Sequence, residues 1–213
     1  MITGGVGHQS DGNRLIIRSK AATTTFEKMV SMVVGSKVHT EYIIIDPHTQ
    51  ECMFSYTAYQ GGRVEMYLTP NSVLMDKSFV NTAINLQNNE VEKLRVFLMS
   101  MVDVVPYNWT DSRLLLPILQ RNGALDMLID DVDSSIPAKI KKVYCSQIGV
   151  LAMRECLDPD GPNSEMLKRL RALNSRLVSP QKLHDIVCEF GHDVDGDALL
   201  ELASNAGKNT SII

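Results

Sequence analysis

The sequence predicts an α+β fold, and three observations carry the prediction. β signals are concentrated between Val38 and Leu86, whereas helical periodicity dominates from Asn88 to Phe190. Runs segregated in this way mark α+β rather than alternating α/β order. A short apolar strand, Leu15-Ile16-Ile17, and one helix precede the β-rich stretch. Composition is that of a folded globular chain, 44% hydrophobic and 22% charged in 213 residues, which suits one domain of moderate size.

The elements follow in order. The first twelve residues contain four glycines and read as a flexible arm, residues 1–11, ahead of a domain spanning 12–190 and a tail spanning 191–213. Thr23 to Val34 reads as a helix, with Phe26, Met29, Val30 and Val33 at helical spacing, Thr25 as cap and Gly35 as stop. Val38 to Ile45 is β-branched and ends at the turn Asp46-Pro47. Met53 to Tyr59, Val64 to Leu68 and Phe79 to Leu86 complete a meander-like sheet of four or five strands. Asn89 is the expected cap of a helix whose buried face is Val91, Leu94, Phe97, Leu98 and Met101. Leu114 to Leu119 is apolar around Pro117, and Asp126 to Asp133 is an acidic turn region. Val143 to Leu157, Glu165 to Leu177 and a segment opened by Ser179-Pro180 give three more helices, the last with Pro at its first position.

Several function classes are excluded as expectations. A net charge of −4 does not supply the basic field of a general nucleic-acid binder. No apolar run approaches the roughly 20 residues of a membrane span. Met1-Ile2-Thr3-Gly4-Gly5 lacks the basic and apolar regions of a signal peptide. Cys52, Cys145, Cys156 and Cys188 have neither disulfide-scaffold density nor zinc spacing, and read as reduced thiols in a cytoplasmic setting. Metal sites are expected to be none.

Among the four thiols, Cys145 stands where a nucleophile would be placed. It begins a predicted helix, where outward-facing N–H groups and the positive end of the macrodipole favour thiolate and an attacked carbonyl oxygen. Lys141 and Lys142 add positive charge. The other three cysteines read as packing. His39 lies on the strand Val38–Ile45 and shares a face with Glu41, two residues on, so it is the candidate general base.

The order of these pieces resembles the circularly permuted, papain-fold NlpC-type cysteine hydrolases, which include many viral members and relatives of lecithin retinol acyltransferase. The resemblance covers residues 12–190. It is carried by Val38-His39-Thr40-Glu41-Tyr42-Ile43-Ile44 and by Phe54-Ser55-Tyr56-Thr57-Ala58 with Gly61-Gly62. Pro106-Tyr107-Asn108-Trp109, Tyr144-Cys145-Ser146-Gln147 and Ser179-Pro180 with Leu183 complete it. It implies a permuted papain-like domain in which Cys145 attacks an amide, ester or thioester carbonyl and His39 takes the thiol proton. Either Glu41 or Ser55 would orient His39, and Tyr107 would line the pocket. Gln147 departs from members with an acid there, and the third position is weak.

What the resemblance implies is a thiol hydrolase or acyltransferase without cofactor, acting on a peptide, amide or acyl-lipid substrate, in a host cytoplasm if viral. Its rival is a catalytically silent papain-like fold serving as a viral structural or host-interaction protein. Among the remaining motifs, Asp193-Val194-Asp195-Gly196-Asp197 fails the calcium-loop pattern and reads as a solvated acidic turn. His184 and His192 have no partner identifiable from sequence. Ser211-Ile212-Ile213 fits a minimal PDZ-ligand pattern.

Overall fold

The computed structural model describes residues 13–45, 54–58, 62–68, 71–107, 140 and 143–201. The described chain runs β1 (Arg14–Ala21), α1 (Thr25–Val34), β2 (Lys37–Ile45), β3 (Phe54–Ala58), β4 (Val64–Leu68), α2 (Asn71–Leu74) and β5 (Phe79–Asn85). It continues with α3 (Asn88–Met101), α4 (Cys145–Cys156), α5 (Ser164–Arg171), a 3-10 turn (Ser175–Leu177), α6 (Pro180–Phe190) and β6 (His192–Val194). The N-terminal arm, Cys52, Lys141, Lys142, the apolar segment 114–119, the acidic region 126–133 and the PDZ-like C-terminus lie outside the described residues.

The strands form one sheet in the order β4-β3-β2-β1-β5-β6, with every neighbouring pair antiparallel. The α+β expectation holds. The simple meander does not, because β5 crosses to the free side of β1 instead of continuing from β4. The tail boundary at 190 also moves. His192, Asp193 and Val194 pair with Ala83, Thr82 and Asn81, and the Asn81 amide donates to the Val194 carbonyl at 3.2 Å. The acidic turn is thus a strand and a cap, in which Asp195 Oδ1 accepts from the Ala198 N–H at 2.7 Å.

Alternation divides the sheet into two faces. Leu15, Ile17, Tyr42, Ile44, Tyr56 and Ile84 join the cluster that includes buried residues of α3, α4, α5 and α6. Ile16, Ile43, Ile45 and Ala83 join a second cluster with Leu74, Val194 and Leu199. Helical material therefore covers both faces, and β2 is buried along its whole length. A bulge opposite Lys20 and Ala21 makes Val38 the extra residue of β2. Val38 packs there against Val30 and Val34 of α1.

That packing fixes which side of α1 is inward. Val30 and Val34 are buried, whereas Phe26 and Met29 are exposed, although sequence spacing had grouped them with Val30. The cap is Thr24, not Thr25, because Thr24-Thr25-Phe26-Glu27 is a capping box. Thr24 Oγ1 accepts from the Glu27 N–H at 3.1 Å, and Glu27 Oε2 accepts from the Thr24 N–H at 2.9 Å. Gly35, at φ 98°, ends the helix as expected.

The capping carboxylate makes stability pH-dependent. Burial would raise the Glu27 pKa, but the Lys20 ammonium at 2.8 Å, the Thr24 and Thr23 N–H groups and the Thr23 hydroxyl outweigh it. The folded carboxyl is held well below the usual carboxylate range. Its contribution is full above the unfolded value near 4.3 and is lost as pH falls through the folded one. Thermal midpoints of the native chain should therefore fall more steeply below pH 4 than those of Glu27→Gln. Parallel pH profiles would refute this role.

The later helices follow their sequence signals with small shifts. Gln87, not Asn89, caps α3, and Glu90 completes that box by accepting from the Gln87 N–H at 2.8 Å. Val91, Leu94, Phe97, Leu98 and Met101 are buried as expected. The expected helix from Glu165 to Leu177 divides into α5 and the 3-10 turn. Ser179 caps α6 by accepting from the Lys182 N–H at 3.2 Å, with Pro180 in the first turn. Phe190 at its end is exposed.

Candidate functional site

α4 is the central helix. Of its twelve residues, all but Glu155 are buried. Such a helix has no solvent stripe, so its approach to the sheet is set by side-chain size. Gly149 supplies the close contact, since a Cβ there would lie 2.3 Å from Cε1 of Tyr42. The ring lies along the first turn, and its hydroxyl donates to the Cys145 carbonyl at 2.8 Å. Burial, followed by the charge of Cys145, pushes the Tyr42 pKa well above the ordinary phenol, so the hydroxyl stays a donor.

Cys145 is the first residue of α4, as the sequence predicts, and it is 3% exposed. The turn around it is held on several sides. The Ser146 hydroxyl donates to the Val178 carbonyl at 2.6 Å, and the Tyr144 hydroxyl to the Ser175 carbonyl at 3.0 Å. The Gln147 amide reaches the Ser175 hydroxyl at 3.5 Å. Tyr107 is buried in the same cluster. It bridges in parallel to Val143, and the Val143 N–H donates to the Pro106 carbonyl at 3.0 Å, placing Tyr107 beside the entry to α4.

His39 lies on the other face. β2 pairs with β1 without irregularity from His39 to Ile45, so His39, Glu41 and Ile43 alternate with Thr40, Tyr42 and Ile44. Tyr42 faces α4, whereas Ile43 belongs to the opposite cluster. The structure thus does not bring Cys145 and His39 together as base and nucleophile. What surrounds His39 is a polar row crossing the sheet. His39 Nε2 is 3.1 Å from Thr57 Oγ1 on β3 and 3.8 Å from Glu41 Oε1. The other Glu41 oxygen accepts from Arg18 at 3.0 Å on β1, and Arg18 Nε donates to Asn81 Oδ1 at 3.1 Å on β5. The Arg18 guanidinium also stacks over Phe79, 4.1 Å from the ring centre.

The hydrogen bonds fix the tautomer of His39. Thr57 donates its single hydroxyl proton to the Thr40 carbonyl at 3.1 Å, so it accepts from His39, and Nε2 carries the proton. Of the two candidates for orienting His39, Glu41 leans toward it despite the spacing of strand neighbours, but it is also bound to Arg18. Ser55 is buried opposite Ile43, two residues from the hydroxyl at His39, which belongs to Thr57. Thr57, Arg18, Tyr42 and Gly149 were not singled out from sequence. Shared parity of Ser55 and Thr57 was visible, but their offset from His39 depends on strand register.

Among the described residues, no three His, Cys, Asp or Glu side chains are placed to hold a metal ion. No helix among them is long and apolar enough to cross a membrane. Compared with protein-family models, curated proteins and solved structures, the chain finds no match in any of the three.

Proposed function

We propose that the chain is an interaction domain on a permuted papain-like framework, a structural or host-interaction protein of viral type, with its cysteines reduced in the cytoplasm. One observation carries this reading: His39 and Cys145 occupy opposite faces of the sheet. A general base must come within hydrogen-bond reach of the proton it removes, directly or through one water. The burial of Cys145 supports the same reading.

A second reading is favoured by Cys145 heading a twelve-residue helix directly after Tyr144. In it the chain is a thiol hydrolase or acyltransferase for a peptide, amide or acyl-lipid. Cys145 would attack the carbonyl, its N–H would help hold the oxyanion, and a base other than His39 would take the proton.

Thiol mapping separates the two. The folded chain is treated with iodoacetamide at pH 7, and labelled peptides are quantified by mass spectrometry, alongside turnover of acyl and peptide ester substrates. Cys145 is expected to label only after denaturation, with no turnover that Cys145→Ala removes. Rapid labelling of Cys145 in the folded chain, or turnover abolished by Cys145→Ala, would overturn the interaction-domain reading.

A further inference from the structure

The structure builds a different thiol–imidazole pair on α6. His184 and Cys188 are four residues apart and so share a helix face. Cys188 Sγ lies 3.5 Å from His184 Nδ1 and 3.7 Å from Nε2, and 3.5 Å from the Thr82 hydroxyl of β5. The sequence reading of Cys188 as packing does not hold, because Cys188 is exposed while Cys145 and Cys156 are buried. Burial also pushes the Cys156 thiol up to about 12.

We propose that Cys188 is a thiol–disulfide exchange site that takes up a low-molecular-weight disulfide, with His184 as the proton acceptor. The imidazole is held toward its neutral form by partial burial and by the charge of Lys37, against the opposing pull of Asp185 and Asp193. A neutral imidazole can accept the thiol proton, and the Thr82 hydroxyl can turn its proton toward the sulfur that remains. The Cys188 thiolate attacks one sulfur of the disulfide. A new S–S bond forms to Cys188 as the original one breaks, and the departing thiolate takes the proton back from His184. One thiol and one disulfide become another thiol and another disulfide, with no further oxidant.

The test uses the full chain and oxidised glutathione at pH 7, with intact mass and peptide mapping over time. A single adduct on Cys188, removed by dithiothreitol and absent in Cys188→Ser, is expected. An ordinary thiol with pKa about 8.5 is a few per cent ionised at pH 7, so a proton acceptor can raise the thiolate fraction by up to roughly thirtyfold, a gain partly offset by the lower nucleophilicity of a more acidic thiol. His184→Gln should lose about threefold of the rate at pH 7 and recover most of it at pH 9, where thiols ionise without help. A structural role for His184 would not narrow with pH. The proposal is overturned if the first adduct forms on another cysteine. It is equally overturned if His184→Gln, shown folded by circular dichroism, matches the native rate at pH 7. The His184→Gln comparison does not depend on how Cys145 behaves.

Discussion

Glu41→Ala is expected to lower the free energy of unfolding by about 3–5 kcal/mol, the cost of breaking a buried ion pair from one side. The Arg18 side chain is 0% exposed and that of Glu41 3%. Removing the carboxylate takes its hydrogen-bonded counter-charge from a buried guanidinium, whose contacts also include the neutral Asn81 carbonyl oxygen and the Phe79 ring. Neither replaces a full negative charge. Urea denaturation measures the loss directly, and a change below about 1 kcal/mol would place the pair in the surface class instead. The matched double variant Arg18→Met/Glu41→Leu is expected to recover most of the stability, since a well-packed apolar pair often equals a buried ionic one. Glu41 is by this account a structural counter-charge more than an orienter of His39.

Gly149→Ala should be the most damaging single methyl in α4. The added Cβ would meet Cε1, Cζ and the hydroxyl oxygen of Tyr42 at 2.3–2.4 Å. Alanine gains about 1 kcal/mol of helix propensity over glycine. Overpacking of a core typically costs about 1–3 kcal/mol and occasionally more, and contact this short against a ring held at its tip falls at the high end. The net expectation is a loss of about 2 kcal/mol or more, read as a drop in thermal midpoint. Tyr42→Leu in the Gly149→Ala background should cost less than Tyr42→Leu alone, because the clash disappears with the ring. Additive losses would show that α4 can shift outward.

Local signals were legible wherever one short segment contains the whole cause. The Gly35 stop of α1, the Ser179-Pro180 start of α6 and the five-residue face of α3 are of that kind, although the cap of α1 is Thr24 and not the expected Thr25. The pairing of His39 with Glu41 on one face was legible for the same reason. Which face of β2 would receive α4 was not. Alternation says that His39 and Tyr42 point oppositely, but only tertiary packing decides which of them meets the helix. Gly149 admitting the Tyr42 ring decides it here. The side of β1 that β5 joins, and the three residues of β6, depend on long-range pairing in the same way. Cys188 reads as packing from sequence yet is exposed, because α6 has one apolar face and a cysteine beside it fits either burial or exposure.

The polar row from Thr57 to Asn81 also constrains how the strands can align while the chain folds. β1 is rich in isoleucine and leucine on both faces, so its apolar residues alone would tolerate a one-residue slip. Such a slip turns every side chain to the opposite face. Arg18 would then enter the apolar layer beneath α4 and α6 without Glu41 or Asn81. A single buried guanidinium thus penalises the misaligned sheets that the surrounding isoleucines would accept.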